Sequence, residues 1–299
     1  MIVKASDIIN GVWTVPSAMR GNPALVVLFG GFGGGQGGYD GADGEGDGTP
    51  TRSKFSVWFN DIYNGGAGGN PGTSGSYPKF IIGEYESLAA SYSVSFGLGG
   101  EGGSVNGGEG AEGGHSTFGS YDTDNGERLT GQYINLIDGT VIASKGNDGF
   151  KGGDGGTTPA ISQKGYTAPG SNGGNVSVKL GGAGYPGTYE RFSDGSIYFT
   201  GATSGGGAAY GSNGFAGYLL NSYTHGGDGA NAIAPADAAL GKTGSGGNGG
   251  GGGGGGGPCG YEDETSDPSY PNHWREYGGM GGTGSVGGKG SDGFALVYY

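Results

Sequence analysis

The 299-residue sequence has few of the residues that stabilise many small or fibrous proteins. Its single cysteine, Cys259, cannot form an internal disulfide, which excludes a disulfide-stapled secreted scaffold. Only 12 prolines are present and the glycines follow no strict triplet repeat, which excludes a collagen triple helix. No stretch approaches the ~20 consecutive apolar residues of a transmembrane helix, so we expect no membrane insertion.

Positive charge is also scarce. The chain has 14 lysines and arginines against 27 aspartates and glutamates, which gives a net charge of -13. Proteins bind nucleic acids and anionic membranes through basic patches, and the sequence has no basic stripe, so we expect neither partner. The first residues lack a basic segment followed by a long apolar run, so we expect cytoplasmic synthesis without a signal peptide.

Glycine is present in large excess: 82 of 299 residues, or 27%, against about 7% in average proteins. Glycine costs roughly 0.5–1 kcal/mol relative to alanine inside a helix or strand, so a conventional helical or sheet protein is not expected. A disordered linker is the usual interpretation of such a composition. However, 19 tyrosines, 12 phenylalanines and 3 tryptophans are present, whereas unfolded chains are poor in aromatics. We therefore expect the apolar islands between eight glycine tracts to pack.

The islands predict a mostly irregular, all-β fold with almost no α-helix, because they are β-branched, aromatic or alternating. The predicted strands are 24–29, 55–59, 80–82, 92–96, 134–143, 176–180, 197–199 and 294–299. Two segments, 84–90 and 235–240, have the composition for a helical turn or two. We expect one domain over 1–299: an N-terminal β segment (1–30), glycine-rich rods with aromatic loops (30–293) and a closing strand (294–299), with strands 24–29 and 294–299 forming a small β part.

The glycine tracts must find partners for their backbone N–H and C=O groups without the help of side chains. Polyproline II geometry has three residues per turn, a rise of about 3.1 Å and no internal hydrogen bonds, so rods laid side by side pair their backbones laterally. Only glycine allows such a close approach. We therefore predict a bundle of packed polyglycine II helices, with disordered linkers as the alternative.

Two short motifs resemble ligand sites but lack what those sites require. Residues 43–48 (DGEGDG) match the start of a calcium loop, but Lys54 stands where a bidentate glutamate is needed. Residues 236–243 (ADAALGKT) resemble a phosphate-binding loop, but a glycine tract follows where a helix is required. The three histidines are isolated in sequence. The sequence therefore predicts no catalytic residue, no metal ligand, no cofactor and no enzyme activity.

Several segments resemble one family along the whole chain. Residues 12–16 (VWTVP) lead into a strand and then into 30–35 (GGFGGG); 92–100 (YSVSFGLGG) and 113–119 (GGHSTFG) follow in order, and 287–299 (GGKGSDGFALVYY) closes the chain. This series resembles the glycine-rich domains of bacteriophage tail-fibre and tail proteins. It is similar to the distal tail-fibre adhesins of T-even-type phages, which are built as stacked polyglycine II rods with variable loops.

The resemblance implies a tail-fibre tip that recognises a host surface receptor, either an outer-membrane protein or a glycan. It implies a virion protein that is made in the host cytoplasm and attaches to other tail-fibre or virion proteins, with homo-oligomerisation left open. Tyr, Trp and Arg dominate interface hot spots, and they occur in the islands that interrupt the tracts. The receptor-binding candidates are Tyr189, Arg191, Tyr223, Tyr261, Tyr270, His273, Trp274, Arg275 and Tyr277.

Two other functions fit part of the sequence. A structural virion protein of the baseplate, tail or capsid would turn the same aromatic islands towards other subunits. An ice-binding polyglycine bundle would need a flat array of small residues and threonines, and the charged, bulky islands argue against it. Copy number per particle separates an adhesin from a structural part, and a thermal-hysteresis assay detects ice binding.

Overall fold

The computed structural model describes residues 1–45, 64–157, 170–184, 188–191, 197–200, 204–220, 223–252, 259–262 and 276–299. The predicted strand 55–59 lies outside these ranges. Within them no α-helix occurs, and the helical segments are three short 3-10 turns, Ala5–Asp7, Ser17–Met19 and Thr123–Asn125. The predicted mostly-β, irregular class is confirmed.

Eighteen short strands form within the described part of the chain. They are β1 Ile2–Val3, β2 Val12–Thr14, β3 Pro23–Phe29, β4 Lys79–Ile82, β5 Glu86–Ser87, β6 Ser91–Ser95, β7 Thr117–Phe118, β8 Tyr121–Asp122, β9 Glu127–Arg128, β10 Tyr133–Ile134, β11 Val141–Ala143, β12 Thr188–Arg191, β13 Ile197–Thr200, β14 Tyr218–Leu220, β15 Tyr223–His225, β16 Cys259–Glu262, β17 Glu276–Tyr277 and β18 Phe294–Tyr298.

The largest sheet joins the two ends of the chain. Its antiparallel order is β1-β18-β3-β4-β9, and β5 pairs with the start of β3. The two strands that we predicted near the termini, β3 and β18, are neighbours, with Leu296 opposite Val27 and Phe294 opposite Phe29. Alternate residues of β3 face opposite sides of the sheet, so the sheet can carry a core on each side.

Each face of this sheet packs against a different layer. On one face, the sheet β2-β6-β7-β8 contributes Trp13, whose ring lies 5.6 Å from that of Phe118. On the other face, the ring centroid of Phe29 lies 4.8 Å from that of Phe294 and 5.1 Å from that of Tyr133 in the hairpin β10–β11. The two clusters stabilise the large sheet, whose strands β3 and β18 adjoin glycine rods.

The glycine tracts run as extended segments, here called rods, whose lateral hydrogen bonds recur every three residues. Four tracts double back, so the eight tracts give twelve rods. They are 30–45, 64–79, 97–106, 108–116, 146–157, 170–176, 180–184, 204–210, 213–217, 226–240, 241–252 and 278–293. The reversals fall at residues with positive φ, such as Gly107 at +78° and Gly241 at +79°, a conformation that glycine adopts without steric cost.

Rod 30–45 shows the register clearly. Every third N–H from Gly30 to Glu45 donates in turn to the carbonyls of residues 79, 76, 73, 70, 67 and 64. Starting again at Gly31, every third N–H donates to the carbonyls of residues 114, 111 and 108. Starting at Phe32, every third N–H donates to the carbonyls of residues 291, 288, 285, 282 and 279. Three antiparallel rods therefore surround rod 30–45 on its donor sides.

Two parallel rods donate to rod 30–45. Gly100, Gly103 and Asn106 donate to its carbonyls at residues 32, 35 and 38. Gly244, Gly247 and Gly250 donate to those at residues 33, 36 and 39. Pairing at this spacing needs glycine, because a Cβ at Gly35 would overlap the carbonyl of Ser245 and one at Gly247 would overlap the carbonyl of Ser285.

Aspartate and asparagine side chains add hydrogen bonds between neighbouring rods. Asp228 accepts from the N–H of Met280 at 2.9 Å, and Asn231 accepts from that of Thr283 at 2.8 Å. Asp40 accepts in the same way from Gly284 at 2.8 Å. These side chains thus accept hydrogen bonds from backbone N–H groups in place of a carbonyl.

Several sequence predictions of local structure are wrong. Segment 84–90 forms no helix, because Glu86–Ser87 pairs with β3, and 235–240 is part of a rod, with Ala238 N–H donating to Lys289. The predicted strand 134–143 is the hairpin β10–β11, and the predicted strand 176–180 is a tight turn. In each case pairing with a distant segment, or a turn, overrides local propensity.

Candidate functional site

The rods have two ends. At one, here called the sheet end, rods 30–45 and 278–293 adjoin β3 and β18 directly. At the other, here called the loop end, a chain of bonds connects the rod termini: Gly44 donates to Gly279, Glu45 to Asn64, Gly155 to Gly66, Gly156 to Gly205 and Gly227 to Ser204. The connections that depart from the loop end are 46–63, 158–169, 185–203, 218–225 and 253–277.

All nine receptor-binding candidates belong to three connections at the loop end. Tyr189 and Arg191 lie in 185–203, and Tyr223 lies in 218–225; the other six lie in 253–277. Tyr270, His273, Trp274 and Arg275 lie outside the described residues. The alternating rod directions bring the described strands of these separate segments to one end of the bundle.

A small sheet joins two of these connections. Its order is β12-β13-β16, and its backbone register places Tyr189 opposite Phe199 and Tyr198 opposite both Glu190 and Tyr261. The described strands of connections 185–203 and 253–277 therefore pair in one sheet, although about 60 residues separate Phe199 from Tyr261 in the sequence.

A second small sheet, β14-β15-β17, joins 218–225 to 253–277. His225 is the backbone partner of Tyr218 on one side and of Tyr277 on the other. The rings of Tyr218 and His225 stack with centroids 4.8 Å apart and planes 2° apart. Burial lowers the pKa of His225, against an opposing effect of Asp228.

Sequence reasoning did not select Tyr218 and His225 as site residues. The segment YLLNSYTH carries the signal, because two short apolar runs flank Asn-Ser, a composition typical of a hairpin turn. Tyr218 is exposed, so its ring adds to the aromatic surface at the loop end.

The acidic side chains near the loop end accept hydrogen bonds from backbone N–H groups. Asp43, at the start of the calcium-like motif, accepts from Gly281 N–H at 2.7 Å, and Glu45 accepts from Asn64 N–H at 2.8 Å. The bond from Gly68 N–H holds the pKa of Asp154 below its usual value. Within the described ranges, no cluster of three or more His, Cys, Asp or Glu side chains is placed to hold a metal ion.

Residues 236–243 also lack the geometry of a phosphate-binding loop. They end rod 226–240 and turn into rod 241–252, so the helix that would face the phosphates is replaced by an extended segment. In the same described ranges, no helix is long and apolar enough to cross a membrane.

Similarity to known proteins assigns no family to this chain. No protein-family model matches the sequence, and no curated protein matches it.

Proposed function

We propose that this protein is a phage tail-fibre tip adhesin in which polyglycine II rods present aromatic loops to a host surface receptor. One observation carries the proposal: the five candidates that the structure describes, Tyr189, Arg191, Tyr223, Tyr261 and Tyr277, all lie in the two small sheets at the loop end. The receptor would be an outer-membrane protein or a surface glycan. The protein would reside in the virion after synthesis in the host cytoplasm, with the sheet end directed towards other virion proteins.

The three-residue register supports the polyglycine II part of this proposal. A β-strand alternates its hydrogen bonds between two sides, whereas a helix with three residues per turn points successive N–H groups in three directions. Rod 30–45 follows the second pattern over five turns, from Gly30 to Glu45.

A rod bundle suits a recognition protein because it fixes the ends of its loops. Recognition residues commonly lie on loops held by a rigid scaffold, and a pre-ordered loop loses less conformational entropy on binding. Tyrosine and tryptophan add contact area with few rotatable bonds. The two small sheets at the loop end supply such ordering for Tyr189, Tyr223, Tyr261 and Tyr277.

The test replaces Tyr270, Trp274 and Arg275 together by alanine. We expect the adsorption rate of particles carrying this variant to fall at least about tenfold, because removal of hot-spot residues costs 2 kcal/mol or more each. The matched control replaces Tyr85, which is 70% exposed, and Lys4, which is also exposed, both outside the loop end.

Thermal unfolding of both purified variants should remain that of the parent protein, which would show that each variant is folded. Unchanged adsorption of the triple variant, or an equal loss in the control, would refute the assignment of the loop end as the receptor site.

A structural virion protein is the second candidate, and one surface feature favours it. The hairpin β10–β11 exposes Ile134, Leu136, Ile137 and Val141 by 52%, 71%, 73% and 52%. Clustered exposed apolar side chains are typical of subunit contacts. Quantitative mass spectrometry of intact particles separates the two functions, because a structural part is present in hundreds of copies and a fibre tip in a few.

A further inference from the structure

Rod 30–45 has an unused side. A rod with three residues per turn points its N–H groups in three directions and its carbonyls in three others, which allows six neighbours. Five of these positions are occupied, by rods 64–79, 97–106, 108–116, 241–252 and 278–293. The carbonyls of Gly31, Gly34 and Gly37 point in the sixth direction, and no hydrogen bond among the described residues ends on them, although all three residues are buried. A buried carbonyl normally has a partner.

The unused side lies between rods 64–79 and 108–116. Rod 97–106 occupies the position between 108–116 and 278–293, because Gly114 donates to Leu98 and Gly290 to Gly100. Rod 241–252 likewise lies between 64–79 and 278–293. The sixth position around rod 30–45 is therefore the gap between the first two rods.

The gap is bridged in part by Gln36. Its Oε1 accepts from Thr73 N–H and its Nε2 donates to the Gly107 carbonyl, both at 3.2 Å. Asn248 does the same on rod 241–252, where it accepts from Phe150 N–H and donates to the Ile233 carbonyl, both at 2.8 Å.

Beyond Asn248, a rod takes over the position that the amide bridges. Gly207 of rod 204–210 donates its N–H to the carbonyl of Gly252 at 2.7 Å. The molecule thus fills a sixth position either with an amide side chain or with an extended glycine segment whose N–H groups point at the rod. The same N–H chemistry suits the carbonyl of Gly31.

Towards the sheet end from Gln36, the gap opens into a cleft of about 100 Å³. Gly30 and Gly31 form its floor, and 76–79 and 112–115 form its walls. Such a volume admits a few heavy atoms and no bulky side chain.

Charged side chains line the mouth of the cleft. Arg128 spans the two walls, donating to the Tyr77 carbonyl at 2.9 Å and to Glu112 at 2.7 Å. Lys79 donates to the Asp124 carbonyl at 3.0 Å, and His115 lies 4.0 Å from the Asp124 carboxylate. Two cationic side chains, Lys79 and Arg128, therefore lie at the mouth of the cleft, each beside one carboxylate, in a molecule whose net charge is -13.

We propose that this cleft binds the C-terminal end of an extended, glycine-containing peptide of a partner protein. The last N–H of the peptide donates to Gly31, as Gly207 donates to Gly252, and its terminal carboxylate lies against Lys79, Arg128 and His115. Terminal carboxylates are captured in this way by backbone and basic groups. This attachment site is separate from the loop end and does not depend on receptor binding there.

Triglycine is the probe, titrated as the free acid and as the C-terminal amide into the full-length ¹⁵N-labelled protein. We expect saturable amide shifts at Gly30, Gly31, Gly113 and Gly114 with the acid, and about tenfold weaker binding of the amide, because one charge-assisted hydrogen bond is lost. Absence of saturable shifts, or equal affinity for acid and amide, would overturn the proposal.

Arg128→Gln should weaken binding of the acid about tenfold, and Arg128→Lys should restore part of it because the charge is kept. Lys289→Gln is the matched control, since Lys289 pairs with Glu101 at 2.7 Å on other rods. Unshifted resonances outside the cleft would show that each variant is folded. An equal loss in the control variant, or no loss in Arg128→Gln, would refute the role of the basic rim.

Discussion

At the scale of single residues, glycine acts here as packing material. A side chain has no room where two rods approach, and it is accepted where a rod faces solvent or a gap. Rod 241–252 shows both cases: Asn248 bridges a gap between two neighbouring rods, whereas Gly251, three residues on, meets the backbone of Gly207. The residue at each third position therefore reports whether a neighbour is present.

Gly247→Ala tests this directly. The added Cβ would overlap the Ser285 carbonyl and the Gly38 nitrogen, both backbone atoms, so we expect a loss of about 3 kcal/mol or more in the free energy of unfolding. Gly131→Ala is the control, since nothing lies within 4 Å of its Cβ position and its φ is not positive.

The control should leave stability unchanged or raise it by roughly 0.4–1 kcal/mol, because alanine restricts the unfolded chain. Chemical denaturation measures both variants. Equal stability of Gly247→Ala and Gly131→Ala would contradict close backbone packing of the rods.

At the scale of elements, the hairpin β10–β11 packs against the large sheet through the ring of Tyr133 and through Ile142 and Ala143. Tyr133 contacts Phe29 at 5.1 Å and Phe80 at 6.1 Å, next to the buried hydroxyl of Tyr298. Burial raises the pKa of Tyr133 to about 12, and Tyr298 adds to the effect. The folded state thus favours the neutral phenol, whose ordinary pKa is about 10.

The raised pKa of Tyr133 predicts that the folded protein loses stability at alkaline pH. The contribution of Tyr133 to stability is complete below pH ~10 and is lost as the pH rises from about 10 to about 12, because the unfolded chain releases the proton first. Tyr133→Phe keeps the ring and removes the titration, so its melting temperature should fall less than that of the parent protein over this range.

The exposed Tyr85→Phe serves as the control and should follow the parent curve. Parallel curves for the parent protein and Tyr133→Phe between pH 10 and 12 would show that Tyr133 ionises equally in both states.

The elements differ in how well the sequence predicts them. Strands β3 and β18 were predictable because their β-branched and aromatic runs are continuous, and glycine's need for lateral partners pointed to packed tracts. The reversals at Gly211 and Gly241 were not predictable, because among the many glycines of the chain no residue type marks the one that takes a positive φ. The reversal at Asn106-Gly107 is recognisable, because this pair is typical of tight turns.

At the scale of the whole molecule, those reversals decide where the candidate site lies. Each one changes the direction of the next rod, so the end reached by 185–203 or 253–277 depends on every turn before it. Composition selected the aromatic islands, but the position of their described strands at the loop end follows only from the hydrogen-bond register between distant tracts. Likewise, the cleft beside Gly31 depends on which of six positions the chain leaves empty.

Hydrogen exchange tests whether the tracts form an ordered bundle. Every amide from Gly246 to Gly252 donates a hydrogen bond, and these residues are buried. We expect them to exchange at least about a thousandfold more slowly than unprotected amides, since opening them needs cooperative unfolding. The exposed hairpin connection 135–140 is the internal control and should exchange faster. Exchange of 246–252 at the rate of an unstructured peptide would mean that the glycine excess is a linker, and the proposed adhesin would lose its scaffold.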